Sequence, residues 1–277
     1  MTIDLHCHSK LSDGSAGIGE IMFIARRTKI DTIAITDHDT FAGAVRAQVI
    51  GKRYGLNVIL GAEFSAFSMK YNREIHILCY MCEYVERLGG LCQHNTQIRQ
   101  RSIAIALQKI MKYYPISSQI VATKARGSTN VFKNHILQSV MDAGYNTHNY
   151  TGLFNKLFDS SSDSTIFSPP YSEPSEVIKS IHQAEGIAIL AHPVADDVHT
   201  LLPELVESGL DGVEAYFPGV SESECDNLVE FANNNNLIIT GGSNFHGMYS
   251  PTSRLLGSYK TSEDQLELMR KKKSKMV

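Results

Sequence analysis

The sequence predicts an α/β fold with a parallel sheet, barrel-like and carrying a mostly helical insertion, on three observations. Short apolar runs alternate with segments of helical period. That alternation stops between about Glu83 and Ser164, where only helical patterns recur. Nearly every apolar run also lies beside an ionisable residue able to ligate a metal.

Taken in chain order, the strand candidates are Ile3–Leu5, Thr32–Thr36, Asn57–Leu60, Ile75–Tyr80, Ile187–Ala191, Gly212–Tyr216 and Leu237–Thr240. Between the first two, Ile18, Ile21, Met22 and Ala25 repeat at helical spacing, and Thr40–Tyr54 reads as a second helix. Pro174–Ala184 opens with proline at a first-turn position, and Glu222–Asn233 follows the next strand as a further helix. In the middle, Ile98–Met111 and Ile136–Ala143 are helical, while Asp159–Ser164, polar and without bulky apolar residues, reads as a loop. The domain reading is a barrel domain over residues 1–82 and 165–277, interrupted by a helical insertion over 83–164. No internal repeat is visible.

Composition sets limits. Of the 277 residues, 43% are hydrophobic and 20% charged, values of an ordinary globular chain. A formal charge of −3 gives no bulk electrostatic case for nucleic-acid or membrane binding. The basic run Arg270–Lys275 is expected to end the last helix, where cations suit the dipole. Five cysteines leave at least one unpaired, and Cys79-x-x-Cys82 has no second pair at zinc-finger spacing. A reduced, cytoplasmic setting is expected. No apolar run approaches the roughly eighteen residues of a membrane span, and no export signal is evident.

The chemistry is expected at the strand ends. The first strand leads into His6 and His8, with Asp13 shortly after; the second delivers Asp37, His38 and Asp39; the third leads to Glu63. His76 stands near the start of the fourth, His192 follows the fifth, and Asn244 and His246 follow the last. In parallel α/β architectures such positions converge on one mouth. His-x-His at a strand end turns both imidazoles to the same side, so they can grip one ion. A single histidine has many structural uses, but so many at strand ends argue for a cluster. Imidazole and carboxylate donors suit Mn, Fe or Zn without choosing among them. Cys7, pointing the other way, is expected to pack.

Leu5-His6-Cys7-His8, Ser12-Asp13-Gly14, Thr36-Asp37-His38-Asp39, Gly61-Ala62-Glu63, Ile75-His76-Ile77-Leu78, Asn134-His135, Ala191-His192-Pro193 and Gly242-Ser243-Asn244-Phe245-His246-Gly247 together resemble the motif series of the PHP (polymerase and histidinol phosphatase) family. The match is nearest to its stand-alone metal-dependent phosphoesterases acting on nucleotides and related sugar phosphates. The resemblance implies a distorted (β/α)7 barrel with two or three divalent metal ions. Carried over, it implies a first ion held by His6, His8, Glu63 and Asn244, and a second by Glu63, His76 and His135. A third would take Asp13, His38 and His246. Two departures stand out. Lys133 occupies a position that is often arginine, keeping the charge without the bidentate fork. Asn244 replaces an aspartate, so its neutral oxygen can ligate without offsetting cationic charge, and the first ion is expected to bind less tightly or sit differently.

The expected reaction is hydrolysis of a phosphate ester by metal-activated water. Arg99, Arg101 and Lys133 are candidates for holding substrate phosphate, against the alternative of a solvated helix face. His192, outside the implied ligand sets, is assigned to substrate contact or to protonating the leaving oxygen. Asp37 or Asp39 is expected to orient rather than to catalyse directly, Asp37 by fixing the tautomer of a ligating histidine. The expected substrate is a small nucleotide or sugar phosphate such as a nucleoside 3',5'-bisphosphate. The alternatives are a cyclic phosphate or short RNA cut by a phosphodiesterase, and, in another class, a catalytically impaired metal-binding module. Neither a membrane nor an obligate protein partner is expected.

Overall fold

A computed structural model describes residues 1–145, 150–158, 171–250 and 254–276. The Asp159–Ser164 loop expected from sequence, and with it the 164/165 domain boundary, lies outside the described residues. Seven strands form one sheet in chain order: β1 (Ile3–Asp4), β2 (Thr32–Ile35), β3 (Asn57–Ser68), β4 (Arg73–Tyr80), β5 (Ile187–Leu190), β6 (Gly212–Tyr216) and β7 (Ile238–Gly241). The sheet curls into a nearly closed barrel. Its first and last strands meet through a Leu5 N–H to Gly241 carbonyl bond of 3.4 Å and a bridge between Cys7 and Phe245. Gly242 makes that meeting possible, because a Cβ there would come within 2.4 Å of the His6 amide nitrogen.

The sheet is not wholly parallel, which corrects the sequence expectation. β4 runs antiparallel to both β3 and β5. The cause is chain length: only Met69–Asn72 separates β3 from β4, too short for a crossover, so the pair must form a hairpin. β3 also extends eight residues past Leu60, because each of Gly61–Ser68 finds a partner on β4. This inversion matters for function. His76, near the start of β4, reaches the same mouth as residues near the ends of the parallel strands, pairing in register with Ser65.

Ten α-helices accompany the strands among the described residues. α1 (Ile18–Arg27) and α2 (Ala42–Tyr54) cover one side. α3 (Gly89–Ile110), α4 (Ser118–Lys124), α5 (Lys133–Asp142) and α6 (Tyr150–Phe158) make the helical middle segment. α7 (Pro174–Gln183), α8 (Leu201–Glu207) and α9 (Glu222–Asn234) cover the other side, and α10 (Glu263–Ser274) ends with Lys271, Lys272 and Lys273 in its last turn, the basic run expected there. No described helix is long and apolar enough to cross a membrane.

Period-two alternation sorts the strand side chains. Ile3, Leu5, Ala34, Leu78, Ile187 and Ile189 fill the barrel interior, plugged by Leu266 and Met269 of α10. Cys7 is buried instead against α1 and α2, and all five cysteines are free thiols. The middle segment has an apolar cluster of its own, in which Ile103 and Ile110 of α3 meet Val121, Ile136, Val140 and Leu153.

Candidate metal centre

Glu63 is the hub. Fully buried on β3, it turns its two carboxylate oxygens to different sets of imidazoles. Oε2 lies 3.4 Å from His6 Nε2, 3.1 Å from His8 Nε2 and 3.3 Å from His38 Nδ1. Oε1 lies 3.1 Å from His76 Nδ1 and 3.0 Å from His192 Nε2. A second carboxylate, Asp13, faces His8 at 3.4 Å, His246 at 3.2 Å and His38 at 3.8 Å. Among the described residues, three groups have ligand atoms within 4.8 Å of one another: His8, Asp13, His38 and His246; His6, Glu63 and His192; and His38, Glu63 and His76.

Local structure explains these positions. His6 and His8 leave β1 on one face, as a period of two demands. His38 sits beside Glu63 through a parallel bridge, with the Asp39 amide donating to the Glu63 carbonyl at 2.8 Å. Asp39, His192 and Asn244, each just past a strand end, take left-handed backbone conformations (φ +56°, +29° and +45°). Such conformations are uncommon outside glycine and collect at functional sites.

Electrostatics in this crowded space oppose burial. Burial would strip the proton from His6, but the Glu214 and Glu63 carboxylates outweigh it and raise its pKa to about 10. His76 is raised to about 10 against its burial, chiefly by Glu63 and Glu74. His8, buried beside His246, is pushed down to about 4. Against their own burial, Glu63 is held well below the carboxylate range by His38, His76 and His6, and Asp13 by His246 and His38. The carboxylates therefore stay ionised and attract cationic charge.

The residues fit divalent cations. Two buried polar atoms here, His38 Nδ1 and Asn244 Oδ1, have no hydrogen-bond partner. Both carry lone pairs that a metal would satisfy, and the donor set is purely nitrogen and oxygen. Protons on the raised histidines are those that metal binding displaces.

Several expected residues take other places. His192, expected outside the ligand sets, lies within 3.0 Å of Glu63 and groups with His6, because the turn after β5 folds its ring back over the mouth. His135 lies outside all three groups. Its Nδ1 accepts the Phe132 amide at 3.1 Å, so it caps the first turn of its own helix, α5. Asp37 touches no histidine among its hydrogen bonds. Its carboxylate accepts from the Ser9 amide and from the Ser9 and Ser12 hydroxyls, each at 2.7 Å, and so pins the loop that carries Asp13. Arg99 is engaged by Asp39 at 2.7 Å and lies over the Phe132 ring, which leaves its charge already partnered. Arg101 is exposed on α3. Lys133 is half-buried; against the opposing effect of burial its charge, after that of His76, helps hold half-buried Glu74 below its ordinary pKa.

The orienting role expected of Asp37 is filled by Glu214, which sequence reasoning passed over. Fully buried in β6, it accepts from His6 Nδ1 at 2.9 Å and from the His192 amide at 2.9 Å. That bond turns His6 Nε2 toward Glu63. The signal was present: a carboxylate inside the apolar run Gly212–Tyr216 is costly to bury unless something pairs with it.

The family model of the PHP domain matches residues 4–133. The chain is 31% identical over 253 residues to a phosphoribosyl 1,2-cyclic phosphate 1,2-diphosphodiesterase of Eggerthella lenta, spanning 90% of this chain and 95% of that protein. It is 27% identical over 249 residues to a 5'-3' exoribonuclease of Haemophilus influenzae (88% and 89% of the two chains). A 3',5'-nucleoside bisphosphate phosphatase of Chromobacterium violaceum is 24% identical over 262 residues (88% and 87%). The fold superposes with a TM-score of 0.87 on the crystal structure of a candidate metal-dependent phosphoesterase from Bifidobacterium adolescentis, 25% identical, over 98% of this chain and 96% of that one.

Proposed function

The chain belongs to the PHP domain family, and from that premise we propose that it hydrolyses a phosphate ester of a nucleotide or related sugar phosphate, using divalent metal ions. The observation that carries this reading is the two-sided carboxylate of Glu63, with His6, His8 and His38 on one oxygen and His76 and His192 on the other. A carboxylate so placed joins two ligand sets. His6, Glu63 and His192 would hold one ion, His38, Glu63 and His76 another, and His8, Asp13, His38 and His246 offer a further position. Asn244 Oδ1 is available as a neutral donor. When bound, divalent cations make water a better nucleophile and offset charge on phosphoryl oxygens.

The chain's own residues do the rest. Glu214 keeps His6 in its ligating orientation, and Asp37 holds the loop that presents Asp13. His192, at the rim and about 30% exposed, is the imidazole best placed both to ligate and to meet substrate. Lys133 supplies a cation for the substrate phosphate at the mouth.

Two substrate readings follow. A monoester such as a nucleoside 3',5'-bisphosphate is favoured by the relative from Chromobacterium violaceum, whose name describes a bisphosphate phosphatase over nearly the same length. Opening a cyclic phosphate or trimming RNA ends is favoured by the relatives from Eggerthella lenta and Haemophilus influenzae, whose names describe diester cleavage over nearly the same length. Turnover with added manganese of mononucleotides, bisphosphates, cyclic phosphates and short oligoribonucleotides separates them. Phosphate release from bisphosphates alone selects the first reading, and cleavage of cyclic phosphates or RNA selects the second. No turnover of any member by fully metallated protein would sink both and favour a metal-binding module.

A further inference from the structure

Beside the metal centre lies a cavity of about 190 Å³, walled by Tyr150, Phe154 and Tyr249. Of its lining residues only His246 belongs to the candidate ligand groups. The cavity therefore adjoins the reacting centre without being part of it.

Two of its polar groups lack partners. Arg254 donates one Nη1–H to the Asn244 carbonyl at 3.2 Å, but its Nε is buried with no hydrogen bond. Among the described residues no carboxylate forms an ion pair with this guanidinium. The Ser250 hydroxyl, on the same wall, is also buried and unsatisfied. A half-buried guanidinium without an ion-pair partner carries a cost, and its buried Nε donor without an acceptor adds to it. Burial pushes Arg254 below its ordinary pKa, the direction desolvation gives a guanidinium that no paired carboxylate offsets. The remaining wall is cross-linked by hydrogen bonding: the Tyr150 hydroxyl donates to the Tyr249 carbonyl at 2.6 Å and lies 3.1 Å from Asn134 Oδ1. Aromatic walls lower the local dielectric and strengthen any bond Arg254 makes to an anion.

We propose that this cavity seats a second, non-reacting phosphate of the substrate, held by the guanidinium of Arg254 and the hydroxyl of Ser250. This rests on the phosphoesterase reading above and deepens it. It makes the favoured substrate doubly anionic, with its second phosphate next to His246. Guanidinium suits the role because its planar donors match phosphate oxygens.

The test has two arms. In the first, manganese-loaded wild type and Arg254→Met are compared on adenosine 3',5'-bisphosphate and on the two corresponding monophosphates. The wild type should prefer the bisphosphate, and Arg254→Met should lower its kcat/KM about 10- to 100-fold, the strength of a hydrogen bond to a charged group. The monophosphates should be nearly unaffected. Equal losses on all three substrates, or no loss on any, would overturn the proposal. The second arm needs no catalysis: chelator-treated protein is titrated with ribose 5-phosphate by calorimetry. Wild type should bind it with salt-sensitive affinity, weakened about 10- to 100-fold by Arg254→Met, less by Ser250→Ala, and partly retained by Arg254→Lys. Failure to bind, or equal binding by wild type and Arg254→Met, would also overturn it. Binding without turnover of any ester would instead sink the phosphoesterase reading while sustaining the anion seat. Arg254→Lys keeps the charge and serves if Arg254→Met does not fold.

Discussion

The two ends of the barrel bury carboxylates in opposite ways. At the closed end, Asp211 at the entry to β6 is almost fully buried, yet it accepts from His182 Nε2 at 2.9 Å, from the Ala188 amide at 2.8 Å and from Lys272 Nζ at 2.6 Å. Nearby, Leu266 and Met269 seal the interior with apolar groups. At the open end, Glu63 is just as buried, but it is surrounded by imidazoles whose own needs it cannot all meet, and His38 Nδ1 and Asn244 Oδ1 are left over. One end is complete as protein. The other leaves buried donor atoms that divalent cations would satisfy.

The largest effect should come from breaking the hub of the open end. Glu63→Gln keeps the shape but removes the charge shared by two ligand sets, so activity should fall on the order of a thousandfold, equivalent to several kcal/mol of metal-derived stabilisation. Metal content measured after purification should fall with it. A variant that keeps both full metal content and full activity would remove Glu63 from the centre of the scheme. The matching change at the closed end is Met269→Ala, which should cost about 2–5 kcal/mol of stability in chemical denaturation. Its metal content and its activity per folded molecule should stay at the wild-type level. Loss of metal in that variant would show that the two ends are coupled.

A smaller effect is expected where the ends meet along β6. Glu214→Gln removes the charged acceptor behind His6 and should weaken metal affinity or activity about 10- to 100-fold. If Glu214 serves only to pack the strand, stability will change while metal affinity does not.

The closed end was the more legible in sequence. Apolar runs such as Ile187–Ala191 and Gly212–Tyr216 announce buried strands, and their bounds differ from the observed ones by a residue at most. The open end was legible in its members and less so in its arrangement. His6, His8, Glu63, His76 and His246 could be picked out because ionisable residues beside apolar runs are conspicuous. Which of them share an ion could not be, because that depends on the inverted direction of β4 and on the turn that folds His192 back. His135 shows the same limit, since its place in a family motif says nothing about its ring nitrogen capping α5. Glu214 was hidden for a different reason: it sits inside a strand, where an alternating pattern leads the eye to the apolar residues.

The smallest effect concerns pH and separates the two ends most cleanly. Asp211 is held below its ordinary pKa: burial opposes this, but the bonds from His182, Lys272 and the Ala188 amide prevail. A carboxylate depressed in the folded state contributes stability that is present above its unfolded pKa of about 3.9 and is lost as pH falls through the lower folded value. Wild type should therefore lose more stability than Asp211→Asn as pH drops from about 5 toward 2. Lys272 is about 41% exposed, so solvent screens its part and the difference should stay within about 1 kcal/mol. Urea midpoints measured across that range read it directly, and 1 M salt should shrink it further, since surface charge is screened within a few ångströms there. Parallel acid limbs for the two proteins would mean that folding does not depress the Asp211 pKa, and the closed end would then owe nothing to that charge. Chelator-treated protein gives the contrast. If the comparison of the two ends holds, removing metal should change the titration of the histidine-lined mouth and leave the Asp211-dependent difference where it was.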